Sequence, residues 1–259
     1  MLTAAKKSQR TPRMQKVLVL GATSGIAVAI TRDLAQRGCE LLLVARSERR
    51  LSDLKADLLL RGAGKVDTYL ADLASLSQHL GIFEFAQRSL PNFDTVLLAY
   101  GCMHAQNESE NDIDVLLNEI NVNFVSACGL LTLAASILEP RRTGCIAAIT
   151  SVAGDRGRRS NYTYGAAKGA LSLFLQGLRS RMHAHGVKVM TIKPGPVQTS
   201  MTDHFARAYR FARPEAVAHR MVDALERRSP DVLYVPWFWR PIMSVIRHVP
   251  ESVSKRMTW

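Results

Sequence analysis

Long apolar runs are missing from this sequence. No stretch of about 18 residues, the length a membrane-spanning helix needs, is uniformly hydrophobic, so no transmembrane helix is predicted. The basic start, with Lys6, Lys7, Arg10, Arg13 and Lys16, has no apolar run behind it. It does not read as a secretory signal, and residues 1–15 are expected to be a disordered basic leader. Cysteine is sparse: Cys39, Cys102, Cys128 and Cys145 lie far apart, in no close-spaced ligand pattern. Buried thiols in a reducing cytoplasm are expected rather than disulfides or zinc, and no metal site is predicted. Acidic residues are in deficit, 22 against 34 Lys and Arg, which leaves a net charge of +12. That balance suits an anionic partner: nucleic acid, a membrane surface, or an anionic cofactor or substrate. No basic stripe is interleaved with aromatics as in single-strand binders, so nucleic acid is not expected. Internal repeats, low-complexity tracts and dividing linkers are also absent.

What is there is an alternation. The 259 residues, 47% hydrophobic, suffice for one large domain with a sizeable core. Short apolar runs at residues 17–20, 40–45, 66–70, 94–99, 144–150, 187–192 and 232–235 read as strands. Between them, residues 26–37, 48–61, 76–89, 162–185 and 214–227 read as helices, several closed by Gly or opened by Pro. Residues 112–138 read as mostly helical and broken into two helices. This order predicts an α/β fold: a doubly wound parallel sheet of about seven strands with helices on both faces. The domain is placed at residues 16–236, with an aromatic-basic extension at 237–259. Gly21, Arg46, Asp72, Gly101, Ser151 and Pro194 each follow a strand, so they should cluster on one sheet edge, where such sheets bind ligands.

The turn Leu20-Gly-Ala-Thr-Ser-Gly-Ile-Ala27 joins the first strand to the first helix. Its glycines allow close approach of a pyrophosphate, and the helix N-terminus offers N–H groups to it. Gly21, Thr23, Ser24, Gly25 and Ile26 are therefore candidate cofactor residues, although the spacing differs from the usual G-x-G-x-x-G. An acid is absent from the end of the second strand, where an NAD site holds the ribose. Arg46 and Ser47 stand there instead, with Arg49 and Arg50 behind. An arginine can pair with a 2′-phosphate, which favours NADP(H) and leaves NAD(H) open. The alternative is a solvated basic helix start. Asp72 and Leu73 are placed to face an adenine, or form an ordinary loop.

Tyr164 and Lys168 are four residues apart and share one helix face. Beside an ammonium, a tyrosine can exchange a proton with a substrate oxygen while a hydride moves at carbon. Ser151, at a strand end, can hold that oxygen.

Taken in order, Gly21-Ala-Thr-Ser-Gly25, Asp72-Leu73, Asn123, Ser151, Tyr164-x-x-x-Lys168 and Pro194-Gly-Pro-Val-Gln-Thr199 resemble the short-chain dehydrogenase/reductase family. The resemblance implies an NAD(P)-dependent oxidoreductase with Tyr164 as general acid/base. Lys168 would lower the pKa of Tyr164 and bind the nicotinamide ribose, and Ser151 would orient the substrate oxygen. Asn123, rather than Asn121, would anchor a relay water. Pro194, Val197 and Thr199 would wrap the nicotinamide. One departure is clear: the family's Asn-Asn-Ala-Gly is here Leu98-Ala-Tyr-Gly101, and Ser126 replaces a glycine. Oligomerisation, common in the family, is expected.

A narrower resemblance, in Ala153–Tyr162 and Val235–Pro250, is to the bacterial decaprenylphosphoryl-2-keto-ribose reductases. It implies reduction of a 2-keto pentose carried on polyprenyl phosphate to an arabinose donor, with an upstream flavin oxidase as partner. Arg156, Arg158 and Arg159, between Ser151 and Tyr164, are candidates for the substrate phosphate, or form a solvated loop. The tail, with Trp237, Phe238, Trp239, Ile242, Met243, Val245 and Ile246 among basic residues, suits a membrane interface. Docking against a second subunit or the chain's own core is the alternative. A cytoplasmic enzyme, peripheral on the inner face of the membrane, is the resulting expectation. A soluble reductase of a small ketone, sugar or ketoacyl substrate, or a catalytically silent nucleotide-binding scaffold, are the other readings.

Overall fold

Along the first strand, Val17 and Val19 point to one face and Leu18 and Leu20 to the other, and all four are fully buried. A strand apolar on both faces needs cover on both. The computed structural model, which describes residues 14–199 and 211–257, supplies it. The strands are β1 (Lys16–Leu20), β2 (Glu40–Ala45), β3 (Lys65–Leu70), β4 (Thr95–Leu98), β5 (Cys145–Ile149), β6 (Lys188–Pro194) and β7 (Val232–Val235). They form one seven-stranded sheet in the order β3-β2-β1-β4-β5-β6-β7, parallel throughout. The expected fold class is therefore found, with the strands within a residue or two of their predicted positions. The expected leader falls almost wholly outside the described residues, although Met14 is already buried in the core.

Helices α1 (Gly25–Gln36), α2 (Glu48–Leu60) and α8 (Pro214–Arg227) belong to one face. Helices α3 (His79–Ser89), α6 (Ser126–Leu138) and α7 (Tyr162–His183) belong to the other. Ala27, Ile30 and Leu34 of α1 meet Val17 and Val19, while Leu130, Leu131 and Ala134 of α6 lie with Leu18 and Leu20. Each fully buried leucine contributes about 1.5–3 kcal/mol relative to an exposed one. α1 is also tied to α8 by Arg37, which contacts Asp33, Asp223 and Glu226 at 2.6–2.9 Å.

The middle of the chain is more divided than its pattern suggests. A short polar helix, α4 (Gln106–Asn111), precedes α5 (Ile113–Ile120). Asp112 separates them, because its carboxylate accepts from the N–H groups of Asp114 and Val115 and caps α5. α5 then runs through a π-helical turn at Asn121–Val125 into α6. This 26-residue run, Ile113–Leu138, holds an 18-residue window with a mean hydropathy of 1.7, long and apolar enough by those measures to cross a membrane. That differs from the sequence expectation. Here the run carries the buried polar residues Glu119 and Asn123, and its second half packs on the sheet.

The extension folds back on the domain as α9 (Trp239–His248) and α10 (Glu251–Ser254). Met243 is buried in a small cluster with Val152 and Tyr234, against which Trp239 and Ile246 pack. The carboxyl ends of all the strands lie on one edge. The strand order reverses between β1 and β4, which places a crevice there.

Candidate active site

The crevice is a cleft of about 890 Å³. The turn after β1 forms one wall. Gly21 adopts φ +88°, a left-handed conformation that glycine takes without penalty. Ser24 is the N-cap of α1, and its hydroxyl donates to Ala99 O at 2.5 Å, fastening the turn to the end of β4. Thr23, Gly25 and Ile26 line the cleft beside the α1 N-terminus. A pyrophosphate there would meet free N–H groups and the positive end of the helix.

Arg46 lines the next wall, as does Arg50, which sequence reasoning had only placed nearby. Arg50 donates to Thr23 O at 2.5 Å, bridging two strand-end loops. Ser47 is not in the cleft wall: it caps α2, accepting weakly from Arg50 N at 3.5 Å. Asp72 and Leu73 line the cleft. The Asp72 carboxylate accepts from Ala74 N, which holds its loop in a turn.

The departure at the end of β4 proves to be a matched pair. Tyr100 and Ser126 hydrogen-bond to each other through their hydroxyls, and Ser126 also donates to Leu73 O at 2.6 Å. Two residues that each depart from the family pattern thus complete one link between β4, α6 and the Leu73 loop. Burial pushes the Tyr100 phenol well above its usual pKa.

Ser151 follows β5 and caps a 3-10 turn at Val152–Asp155, its oxygen accepting from Ala153 N at 3.1 Å. That turn lies directly on α7. A Cβ at Gly154 would sit 2.6 Å from Gly169 N and 2.7 Å from the carbonyl carbon of Lys168, so only glycine fits. The close approach brings Ser151 and Tyr164 to one wall of the cleft, where the Ser151 side chain works to lower the pKa of the phenol. Gln106 of α4 holds the start of α7, accepting from Thr163 N at 3.1 Å and donating to Thr163 Oγ1 at 3.2 Å. Behind the turn, Asp155 pairs with Lys193 and accepts from the Tyr234 hydroxyl at 2.7 Å. Burial first, then the Asp155 carboxylate, pushes Tyr234 up to about 12.

Lys168 is 3% exposed, with Nζ 3.5 Å from Tyr100 O and 5.8 Å from the centre of the Tyr164 ring. Burial lowers its pKa to about 8. The same burial pushes Tyr164 up to about 12, opposed by the Ser151 hydrogen bond. Tyr164 is thus a protonated phenol at neutral pH, the form that can give a proton to a ketone oxygen. Asn123 is fully buried behind Gly101, donating to Cys102 O at 2.7 Å and to Glu119 O at 3.0 Å.

Pro194, Val197 and Thr199 line the mouth, together with Trp239 of the extension, for which the sequence left a membrane, a second subunit or the chain's own core open. A Cβ at Gly195 would lie 2.0 Å from Trp239 Nε1, so the indole rests on the glycine backbone. Arg158 lines the cleft, whereas Arg156 and Arg159 do not. Arg156 turns to the extension, bonding Glu251 at 2.6 Å and Ser254 Oγ at 3.4 Å. Arg159 is exposed. No group of metal-ligating side chains occurs among the described residues.

The sequence pattern described as short chain dehydrogenase matches residues 15–210. An uncharacterized oxidoreductase of Mycobacterium tuberculosis strain H37Rv is 32% identical over 241 residues, covering 93% of this chain and 96% of that protein. An uncharacterized oxidoreductase from the mprA 5′ region of Streptomyces coelicolor is 32% identical over 250 residues, covering 94% and 96%. Among solved structures, a short-chain dehydrogenase from Sphingobium yanoikuyae in complex with NADPH superposes with a TM-score of 0.81 at 22% identity, over 94% of this chain and 96% of that one. Levodione reductase superposes at 0.77 with 22% identity, over 86% and 96%. The chain belongs to the short-chain dehydrogenase/reductase family, whose members are NAD(P)H-dependent oxidoreductases.

Proposed function

We propose that this enzyme is an NADPH-dependent ketoreductase acting on a 2-keto pentose carried by a polyprenyl phosphate, yielding the arabinose donor. The reaction type rests on one observation: Ser151, Tyr164 and Lys168 line one cleft, with the buried Lys168 Nζ 5.8 Å from the centre of the Tyr164 ring. NADPH, when bound, supplies the hydride. The α1 N-terminus would hold its pyrophosphate, Arg46 and Arg50 its 2′-phosphate, and the Pro194–Thr199 turn its nicotinamide end. The absence of an acid at the end of β2 favours the 2′-phosphate. Ser151 orients the ketone oxygen, and Tyr164 gives it a proton.

The substrate reading is supported by the tail. Trp239 walls the cleft, while Trp237 and Val245 stand 65% and 69% exposed beside Arg240 and Arg247. An apolar face with a basic rim suits an anionic lipid surface, which would keep the enzyme on the inner face of the cytoplasmic membrane. Arg158, which lines the cleft, would hold the substrate phosphate. An upstream oxidation, suited to a flavin oxidase, must supply the ketone. A homo-oligomer is part of the same proposal.

The test is NADPH oxidation with the lipid-linked keto sugar, comparing the wild type with Tyr164→Phe. The variant should lose at least 100-fold in kcat and keep its NADPH affinity. Turnover of small ketones but not the lipid-linked sugar would favour a soluble reductase. NADPH binding with no turnover of any ketone would favour a silent scaffold. Flotation with anionic but not zwitterionic vesicles, lost on Trp237→Ser with Val245→Ser, would support the membrane contact. Equal flotation of both proteins would remove it.

A further inference from the structure

Glu119 is a charge the reaction as described does not use. It lies on α5 one turn before Asn123, and its side chain is 1% exposed. Burying a carboxylate costs several kcal/mol unless it is well paired. Its partners are few: Oε2 accepts from Ser109 Oγ at 3.3 Å and faces His104 Nδ1 at 3.6 Å. Its Oε1 is buried with no hydrogen-bond partner, and so is His104 Nδ1. Burial holds the carboxyl above its ordinary range. An apolar side chain would fill this place at lower cost.

The surroundings give the group a direction. Asn123 joins the Glu119 backbone to Cys102. A Cβ built on Gly101 would lie 2.5 Å from Asn123 Oδ1 and 3.0 Å from Lys168 Nζ, so the amide and the ammonium meet over that glycine. The Glu119 charge acts on both Tyr164 and Lys168. On its other side His104 lines the cleft, with a side chain 31% exposed. The titratable groups around the carboxyl are thus His104 and Cys102 from the loop after β4, and Tyr164 and Lys168 from α7.

We propose that Glu119 and His104 form the outer leg of a proton path that resupplies Tyr164 through Lys168. Each ketone reduction consumes one proton, as the Tyr164 O–H bond breaks and the product O–H bond forms. The phenolate takes a proton from the Lys168 ammonium. The amine takes one from the buried Glu119 carboxyl, whose charge acts on it. The carboxylate takes one from the His104 imidazolium, which recovers it from bulk water. Both residues are positioning residues that act through Lys168.

This inference rests on the reductase chemistry and not on the identity of the sugar. The experiment is steady-state reduction of 2,3-butanedione with NADPH. Glu119→Gln should lower kcat at least 10-fold and enlarge its solvent deuterium isotope effect, with NADPH affinity within 2-fold of the wild type. His104→Ala should lose at least 5-fold and regain it in proportion to added imidazolium. Wild-type kcat, pH profile and isotope effect in both variants would overturn the proposal. A loss in His104→Ala that imidazole does not restore would overturn it as well. With a wild type inactive on this ketone, the proton path is decided by calorimetry of NADP⁺ binding in two buffers. Glu119→Gln must change the number of protons exchanged, and an unchanged number would overturn the path.

Discussion

Arg156, five residues beyond Ser151, holds Glu251 of the C-terminal extension through an ion pair of 2.6 Å. The extension is thereby joined to the loop that carries the catalytic serine. Glu251 is mostly exposed, so the pair alone contributes at most about 1 kcal/mol to stability. Its effect should appear in the loop instead. Arg156→Gln should leave the melting temperature within a few degrees and speed amide exchange in both residues 151–156 and 251–257. Faster exchange confined to the tail would refute the coupling.

Gly195 and Trp239 should be energetically coupled. Gly195→Ala places a methyl where the indole stands, so Trp239 must move. A loss of at least 10-fold in kcat/KM is expected. In a Trp239→Ala background the same glycine change should add little, because the obstacle is gone. Additive losses in the double variant would contradict the packing.

Arg46 and Arg50 should set cofactor preference. A charge-assisted hydrogen bond contributes about 1.5–3 kcal/mol, which corresponds to roughly 10- to 100-fold. Arg46→Ala with Arg50→Ala should raise KM for NADPH by that factor and leave KM for NADH nearly unchanged. Side-by-side initial rates check this, and an equal change for both cofactors would remove the 2′-phosphate from the account.

Lys168 should cost the fold stability at neutral pH. Burial lowers its pKa to about 8. Between that value and about 10.5, the ordinary lysine value, the unfolded chain keeps the proton and the folded chain does not. Raising the pH through this window therefore stabilises the fold, and below about 8 the burial cost stands in full. Lys168→Met should gain on the order of 1–3 kcal/mol at pH 6.5 and lose most of that gain near pH 10.5. Activity should run the other way, absent in the variant and declining in the wild type as the pH rises through about 8. Urea denaturation at the two pH values and a pH–rate profile read both.

Much of this was legible without coordinates because it is periodic or local. Apolar runs such as residues 17–20 and 40–45 announce buried strands, and the glycine turn after Leu20 is written in consecutive residues. α4 was missed because Gln106–Asn111 has no apolar face to detect. The places of Ser47 and Arg156 were not legible for another reason. Both are polar residues near the site, and only their partners show that one caps a helix and the other clamps the tail. Glu119, between Leu117 and Ile120 of α5, was a signal available in the sequence and not used.

The sequence by itself determined the strand–helix alternation, the sheet edge that holds the site, and the Tyr164–Lys168 pair on one helical face. These follow from spacing, and spacing is local. The tertiary structure decided what surrounds the pair. Contacts between residues far apart in the chain bring Gly154 onto α7, Trp239 onto Gly195 and Asn123 onto Cys102. Burial, which no single segment specifies, leaves Tyr164 protonated and depresses the pKa of Lys168.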